Sequence, residues 1–563
     1  MAVMYNSFYR MVKDGVLQVM PAPCDRETPG APWHVDKVRE MASGLAKVGF
    51  TDLLYPVLTM AQGGCAPNSD GYGKQFDYDF GDTRPTRWGL RKDTMRSVSA
   101  CRAAGLRVLS DVVIHQYDGG DNGVYPEPMF PKHPSCFAGP PPRVPADPVF
   151  DSEGNAAFGD MVAYVNGRPK GYMLDGAIAA IRAQRSAFDL DGYRLDDTKG
   201  ENAAVSKTIL AATVGYVFGE CFTGNPGELD SWVMQTGGRA STLDFTLHWA
   251  LQAVCDQGAS FRTLDGAGFA AIDPAHAVTF VDTGDTDNND GESIKFNKLW
   301  GYVLILTTEG TPLVYSRDYL PEPNCYGLKP QIDNLVWINR TFAFGRTETR
   351  FVDDDAFAYT RDGDGGQWGW SGGLLVGLNR NPIAARTLTV QTGFGPHAPL
   401  HDYTGHAPDV WTDATGLATI TIPSNVDGSA QSYVCYARAG VRYTVPITRR
   451  STTQVYIGDE RLSVKPVRNG TQTLLYPIYC ARGSRLQLAL QVEAVTEAAT
   501  VRVEVIDPSG SVRSWGTARG ATAASFEAEV SDEGWCTLQL VGAQLPVDGA
   551  NYTLSATYMG AAI

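Results

Sequence analysis

Residues 192–200 read GYRLDDTKG. A strand-like run ends here by setting an arginine, two aspartates and a lysine side by side. Four charges at the end of an apolar segment are costly unless solvent, partners or chemistry use them. Side chains alternate along a strand, so Arg194 and Asp196 point to the same face.

The flanking segments repeat one pattern. From about residue 15 to 345, short apolar runs alternate with longer stretches of helical spacing. GVLQVMPAP reads as a strand, HVDKVREMASGLAKVGF as a helix ending at a glycine, and TDLLYPVL as the next strand. KDTMRSVSACRAAGL is again helical and RVLSDVVIH a strand. The alternation resumes with RPKGYMLDGAIAAIRAQRSAF, LDGYRLD, NAAVSKTILAAT, GYVFGE and AVTFVD, and the helix NKLWGYVLILTTEG leads to TPLVYS. Such alternation implies a parallel sheet, and about eight units over roughly 300 residues fit a closed (β/α)8 TIM barrel. The barrel, domain A, is expected over residues 1–116 and 166–345. Residues 117–165, rich in Pro, Gly and Asp, read as an inserted domain B after the third strand. Loops that long are usually functional. Beyond residue 346 the helical signals stop. FVDDDAFAYTRDG, GGLLVGLNR, RTLTVQTG and SYVCYARAG alternate like strands of an antiparallel sandwich, domain C over 346–440. Residues 441–563 read as an additional β-sandwich-like domain, with TTQVYIGD, RLQLALQVEAV, TVRVEVIDPSG and NYTLSATYMG as strands.

With 563 residues, 43% hydrophobic and 19% charged, the composition is ordinary for a soluble globular protein. A net charge of −15 argues against nucleic acid, whose phosphates need basic patches. No apolar run reaches the ~20 residues of a membrane helix. The ten cysteines contain no C-x-x-C, so no zinc or redox motif is signalled. Some could pair in an exported protein; scattered buried thiols are the alternative. The start MAVMYNSFYRMVKDG lacks the apolar stretch of a signal peptide. The expectation is a secreted or periplasmic monomer with its signal removed; a cytoplasmic location is the alternative.

In a β/α barrel the C-terminal ends of the strands form the active site. Carboxylates stand at several of these ends: Asp111 in LSDVVIH, Asp196 beside Arg194, Glu220 after YVFG, and Asp282 and Asp285 in TFVDTGD. Acids brought together from separate strands repel each other, and an arginine among them lowers that cost and holds one aspartate ionised. Such a group suits glycoside hydrolysis, in which one carboxylate attacks the anomeric carbon and an acid protonates the leaving oxygen. Retention requires the two to lie about 5–5.5 Å apart. Asp196, beside Arg194, is the better nucleophile. The apolar strand before Glu220 favours the protonated acid. Each acid taken alone reads as a cap, a surface charge or a structural ion pair.

At these residues the chain resembles the α-amylase family of retaining α-glucan enzymes. The family's first motif, D-V-V-x-N-H, appears as DVVIHQ (Asp111 to Gln116), and the second, G-F-R-x-D-x-x-K-H, as GYRLDDTKG. The third centres on a strand-end Glu, here FGECF with Glu220, and the fourth, F-V-D-N-H-D, appears as FVDTGD (Phe280 to Asp285). SDGYGKQFDYDFGD resembles the family's Tyr-bearing loop, and LHDYTGHAPDV its C-terminal sandwich. The resemblance covers about residues 10–440. It implies Asp196 as nucleophile, Glu220 as general acid/base, and Asp285 as the group that holds sugar hydroxyls and stabilises the transition state. It implies that Arg194 orients Asp196, Tyr72 stacks on the sugar, Lys199 contacts the leaving side and Asp111 supports. Asp197 then serves structure.

The chain departs from the pattern at three positions: Gln116, Gly284 and Gly200 stand where the motifs carry His. The histidines at the first two positions normally hydrogen-bond hydroxyls of the cleaved sugar; their loss leaves Gln116 as a neutral partner and opens space at Gly284, with Thr283, Asp287 or His115 as candidates to take over the lost contacts. Calcium is a candidate cofactor. The family's ion takes the Asn of the first motif, here His115, and a domain B aspartate, which Asp160 resembles. Asp118, Asp121 and Asp147 offer further oxygens, and a solvated acidic loop is the alternative. Trp368 and Trp370, and Trp515 and Trp535 in the last domain, either stack on glucan or pack within sandwiches. The leading expectation is endo-hydrolysis of α-1,4-glucosidic bonds in starch- or glycogen-type glucans. The alternatives are an α-glucosidase or glucanotransferase with a remodelled cleavage subsite, and a non-catalytic glucan-binding protein.

Overall fold

The computed structural model describes residues 2–13, 16–19, 33–66, 69–82, 84–117, 127–132, 134–137, 171–200, 203–288, 291–363, 373–426, 428–441, 445–457, 472–492, 498–545 and 550–562. Eight parallel strands close a barrel: β1 (Met4–Asn6), β2 (Asp52–Tyr55), β3 (Arg107–Val113), β4 (Gly192–Asp196), β5 (Tyr216–Gly219), β6 (Ser241–Leu243), β7 (Ala277–Phe280) and β8 (Thr311–Tyr315). Each strand lies beside its neighbours in sequence, and β8 lies beside β1. In the registers, Met4 faces Leu313 and Asp111 faces Arg194.

The first barrel strand is not the run GVLQVM. Val16–Val19 pairs instead with Arg10–Lys13 in a two-stranded sheet, and Met4–Asn6 takes the barrel position. Met4–Asn6 and Ser241–Leu243 have three residues each, all buried, too short for a periodicity to register.

The described residues group into two compact units, residues 1–18 with 218–443 and residues 19–217 with 444–563. In the first, the helix Lys298–Thr307 is buried along its whole length, as the apolar run that follows Lys298 requires. Beyond it a sheet runs in the order Thr347–Val352, Ala356–Arg361, Leu374–Asn379, Tyr433–Arg438, Pro399–Asp402, Val410–Trp411. This sheet and the pair Arg386–Gln391 and Leu417–Ile422 enclose a core that includes Leu375, Leu400, Ile420 and Val434. Trp300 Nε1 donates to Ser432 Oγ at 3.1 Å, and the Tyr359 hydroxyl lies 2.6 Å from Thr307 Oγ1, tying sheet to helix.

In the second unit, α1 (His34–Val48) ends at Gly49, whose φ of 123° suits glycine. α2 (Arg91–Ala103) follows β2. The C-terminal strands form two antiparallel four-stranded sheets. One runs Val445–Ile457, Ala550–Ala562, Ser484–Val492, Ala524–Val530; the other runs Gln472–Cys480, Gly534–Ala543, Thr500–Ile506, Val512–Arg519. Alternation places Val501, Val503 and Val505 inside, with Leu486, Leu490, Leu538 and Leu540. This sandwich packs on α1 and α2. Tyr558 OH donates to the Ala103 carbonyl at 3.1 Å, and Lys47 Nζ lies 4.5 Å from the ring centre of Tyr479 and 5.5 Å from that of Trp535. Trp535 lies at the edge of this contact and is 39% exposed. Trp515 is 55% exposed, with the Arg502 guanidinium 4.5 Å over its ring. Trp368 and Trp370, and most of 117–165, lie outside the described residues. Cys65 is disulfide-bonded, and eight other cysteines are free thiols. No helix among the described residues is long and apolar enough to cross a membrane.

Candidate active site

β3 and β4 position the first group of residues. Asp111 sits opposite Arg194 in the parallel register, and Asp196 ends β4 two residues later. Arg194 Nη1 donates to Asp196 Oδ1 at 2.9 Å and also to Asp111 Oδ2. Tyr72 donates its hydroxyl to the same Asp111 oxygen at 2.6 Å, and Gln116 Nε2 donates to Asp196 Oδ2 at 3.3 Å. Asp111, Arg194 and Asp196 are 0%, 5% and 7% exposed, so one guanidinium serves two desolvated carboxylates. Burial pushes the Asp111 carboxyl up to about 6 against the opposing pull of Arg194. The structure therefore brings Tyr72, Asp111, Gln116, Arg194 and Asp196 together. Gly192 makes this strand packing feasible: a Cβ there would come 1.9 Å from the Tyr216 carbonyl oxygen.

After β4 the chain turns through Asp197 at φ 44°, a left-handed conformation that aspartate tolerates better than most residues. The Asp197 carboxylate lies 2.9 Å from His115 Nδ1, which is also 3.0 Å from Gln116 Oε1. His115 therefore orients the glutamine that reaches Asp196. Lys199 is exposed on the one-turn helix Thr198–Gly200.

Glu220 follows β5 and is 5% exposed. The two aspartates after β7 have separate environments. Asp282 is fully buried and accepts from Thr286 Oγ1 at 2.9 Å, from the Ile294 amide at 3.2 Å and from Lys298 Nζ, which also contacts Asp318 at 2.9 Å. Burial pushes its carboxyl up to about 6, opposed by Lys298. Asp282 anchors the loop and is not presented to a ligand. Asp285 lies on the short helix Gly284–Asn288, its side chain 28% exposed and ion-paired with Arg10.

The space expected at Gly284 is filled. A Cβ at 284 would lie 3.1 Å from Arg10 Cγ, and Arg10 Nε donates to the Gly284 carbonyl at 3.3 Å. Thr283, Asp287 and His115 each have partners of their own. Thr283 Oγ1 caps the short helix by accepting from the Asp285 amide at 3.3 Å. Asp287 pairs with Arg317, and His115 with Asp197. Arg10 escaped the sequence reading because it lies 275 residues from Asp285 in a segment without a motif. The missing side chain at 284 was the only hint. Lys298 had a signal, a lone cation opening an apolar helix, which marks a buried ion pair.

No family model matches the chain. An α-amylase of Geobacillus stearothermophilus is 24% identical over 466 residues, spanning 70% of this chain and 80% of that protein. A glucan 1,4-α-maltohexaosidase of Bacillus sp. (strain 707) is 22% identical over 463 residues, spanning 70% of this chain and 86% of that protein. In sequence and fold the chain is thus similar to members of the α-amylase family. The fold agrees: a γ-CGTase from alkalophilic Bacillus clarkii superposes with a TM-score of 0.57 at 14% identity, covering 98% of this chain and 96% of that one.

His115, which stands where α-amylase family members carry a calcium-binding Asn, does not fit the ion. The His115 ring is engaged by Asp197 and Gln116, and an imidazole nitrogen suits a hard, oxygen-seeking cation poorly. Ammonium groups already serve the carboxylate nearby. Lys74 Nζ donates to the Val113 carbonyl at 3.1 Å and pairs with Asp77 at 2.5 Å, and Lys132 Nζ contacts Asp77 at 2.5 Å. Burial works to raise the Asp77 carboxyl, but the two lysines hold it below the usual range. Asp160, with Asp118, Asp121 and Asp147, lies outside the described residues. Among the described residues no three His, Cys, Asp or Glu side chains gather as a metal site.

Proposed function

We propose that this protein is an endo-acting α-1,4-glucan hydrolase that works by retaining double displacement. Asp196 attacks the anomeric carbon while Glu220 protonates the departing glycosidic oxygen; Glu220 then takes a proton from the water that releases the glycosyl group. Asp285 holds hydroxyls of the cleaved sugar, Tyr72 and Gln116 flank the sugar, and Lys199 lies on the leaving side. In a parallel barrel all carboxyl ends of strands emerge at one rim, which is the basis for assigning these groups to one reaction.

The observation that carries this reading is the Arg194 bridge. A desolvated guanidinium on a strand-end carboxylate holds it in one rotamer, as a nucleophile needs. A protein that only bound glucan would have no use for that arrangement. The supporting Asp111, itself held by Tyr72, fixes the guanidinium in turn.

The test incubates soluble starch and maltooligosaccharides with the wild type and with Glu220→Gln, products resolved by chromatography. Short oligosaccharides from the wild type alone are expected. Products longer than the substrate would move the reading to a glucanotransferase, and no turnover on any α-glucan would refute both. Export accords with the disulfide at Cys65, since such bonds persist in oxidising compartments. Fractionation of the native host that recovers the protein only from cytosol would refute export.

A further inference from the structure

Arg10 opens the hairpin strand Arg10–Lys13, a few residues after β1. Its backbone is pinned by the last residue of β8. The Arg10 amide donates to the Tyr315 hydroxyl at 3.3 Å, and that hydroxyl lies 3.0 Å from the Arg10 carbonyl. Its side chain then runs along Gly284: Nε donates to the Gly284 carbonyl at 3.3 Å, and Nη2 donates to Asp285 Oδ1. The Arg10 and Asp285 side chains are 18% and 28% exposed, so the pair is anchored within the protein and open to solvent at one side. Glycine at 284 makes this approach feasible. A Cβ there would come 3.1 Å from Arg10 Cγ and 3.5 Å from Nε. A larger residue at 284 and the guanidinium compete for one volume.

We infer that Arg10 is the positioning residue for Asp285, delivered by the N-terminal hairpin into the place that a side chain at 284 would otherwise take. The inference rests on the reading of Asp285 as the group that holds sugar hydroxyls. A charge-assisted bond to Oδ1 fixes the carboxylate in one rotamer, so that it meets the sugar already oriented. Gly284 and Arg10 then form one functional unit, and changing either should disable the same step.

The experiment measures kcat and KM on maltoheptaose, with thermal melts in parallel, for Arg10→Ala, Arg10→Lys, Gly284→Ala, the double variant Arg10→Ala/Gly284→Ala, and Asp285→Asn. Misplacement of the carboxylate should lower kcat of Arg10→Ala on the order of a hundredfold with KM little changed. Arg10→Lys should recover part of the loss, and added methylguanidinium should restore Arg10→Ala in a saturable way. Gly284→Ala should resemble Arg10→Ala, because its Cβ displaces the guanidinium, and should add nothing in the double variant. Wild-type kcat in a folded Arg10→Ala, additive losses in the double variant, or no rescue by methylguanidinium would overturn the inference. Should Arg10→Ala not fold, Arg10→Lys and Gly284→Ala carry the same test. An inactive Asp285→Asn beside an active Arg10→Ala refutes the role of Arg10 alone. A fully active Asp285→Asn refutes the reading of Asp285, and the inference with it.

Discussion

Replacing Arg194 by Met removes the one cation among the described residues that touches both Asp111 and Asp196 while keeping much of the side-chain volume. The two carboxylates are 0% and 7% exposed, so water cannot take over. Breaking a buried pair by removing one partner costs about 3–5 kcal/mol, and here two partners lose their cation. Tyr72 still donates to Asp111 at 2.6 Å, which places the expected loss near the lower figure, about 3 kcal/mol at pH 7.5. The loss should shrink in acid. Burial already pushes the Asp111 carboxyl up to about 6 with the arginine present. Without it a proton enters at still higher pH and removes one of the two charges. Equilibrium urea unfolding at pH 7.5 and pH 5, monitored by circular dichroism, measures both effects. The double variant Arg194→Met/Asp111→Asn should be more stable at pH 7.5 than Arg194→Met alone, because the orphaned charge is gone, yet remain catalytically inactive. A loss under about 1 kcal/mol at pH 7.5, typical of a solvent-exposed pair, would refute the account of Arg194 as a desolvated bridge. So would a loss that does not change with pH.

Gly192→Ala should fail to give soluble protein, because its Cβ would sit 1.9 Å from the Tyr216 carbonyl, an atom of the backbone that cannot swing aside; a soluble variant with an unchanged melting temperature contradicts this. Lys298→Met leaves Asp282 and Asp318 buried without their shared cation and should cost about 3–5 kcal/mol in denaturant unfolding. Adding Asp282→Asn should return part of that, and a loss that stays undiminished would argue against the pair. Asp287 is pushed up to about 6, chiefly by burial. Its folded value lies above its unfolded one, so the stability it contributes is complete below about pH 4 and lost as pH rises through about 6, roughly 3 kcal/mol in all. Asp287→Asn does not titrate and should gain on the wild type between pH 4 and 7.5; parallel stability curves for the two proteins would refute this.

Local chemistry made much of this protein legible from its sequence. Strand–helix alternation specified a parallel barrel, because each apolar run must be covered by the helix that follows it. The period of two placed Arg194 and Asp196 on one face, which their 2.9 Å bond reflects. What depended on contacts between distant segments was not legible. The three-residue strands Met4–Asn6 and Ser241–Leu243 are defined by their barrel neighbours and carry no period of their own. Asp282 and Asp285 stand three residues apart in one motif, yet one is buried against Lys298 and the other reaches solvent beside Arg10; only packing separates them. Trp535 reads in the sequence as able either to stack on glucan or to pack, and the structure places Lys47 of α1 5.5 Å from its ring centre while leaving it 39% exposed. The occupant of the space at Gly284 comes from 274 residues away, and no local pattern can encode a partner at that range. Residue types and spacing thus determined which chemistry the strand ends could carry, whereas tertiary packing decided which of those charges are paired, buried or presented.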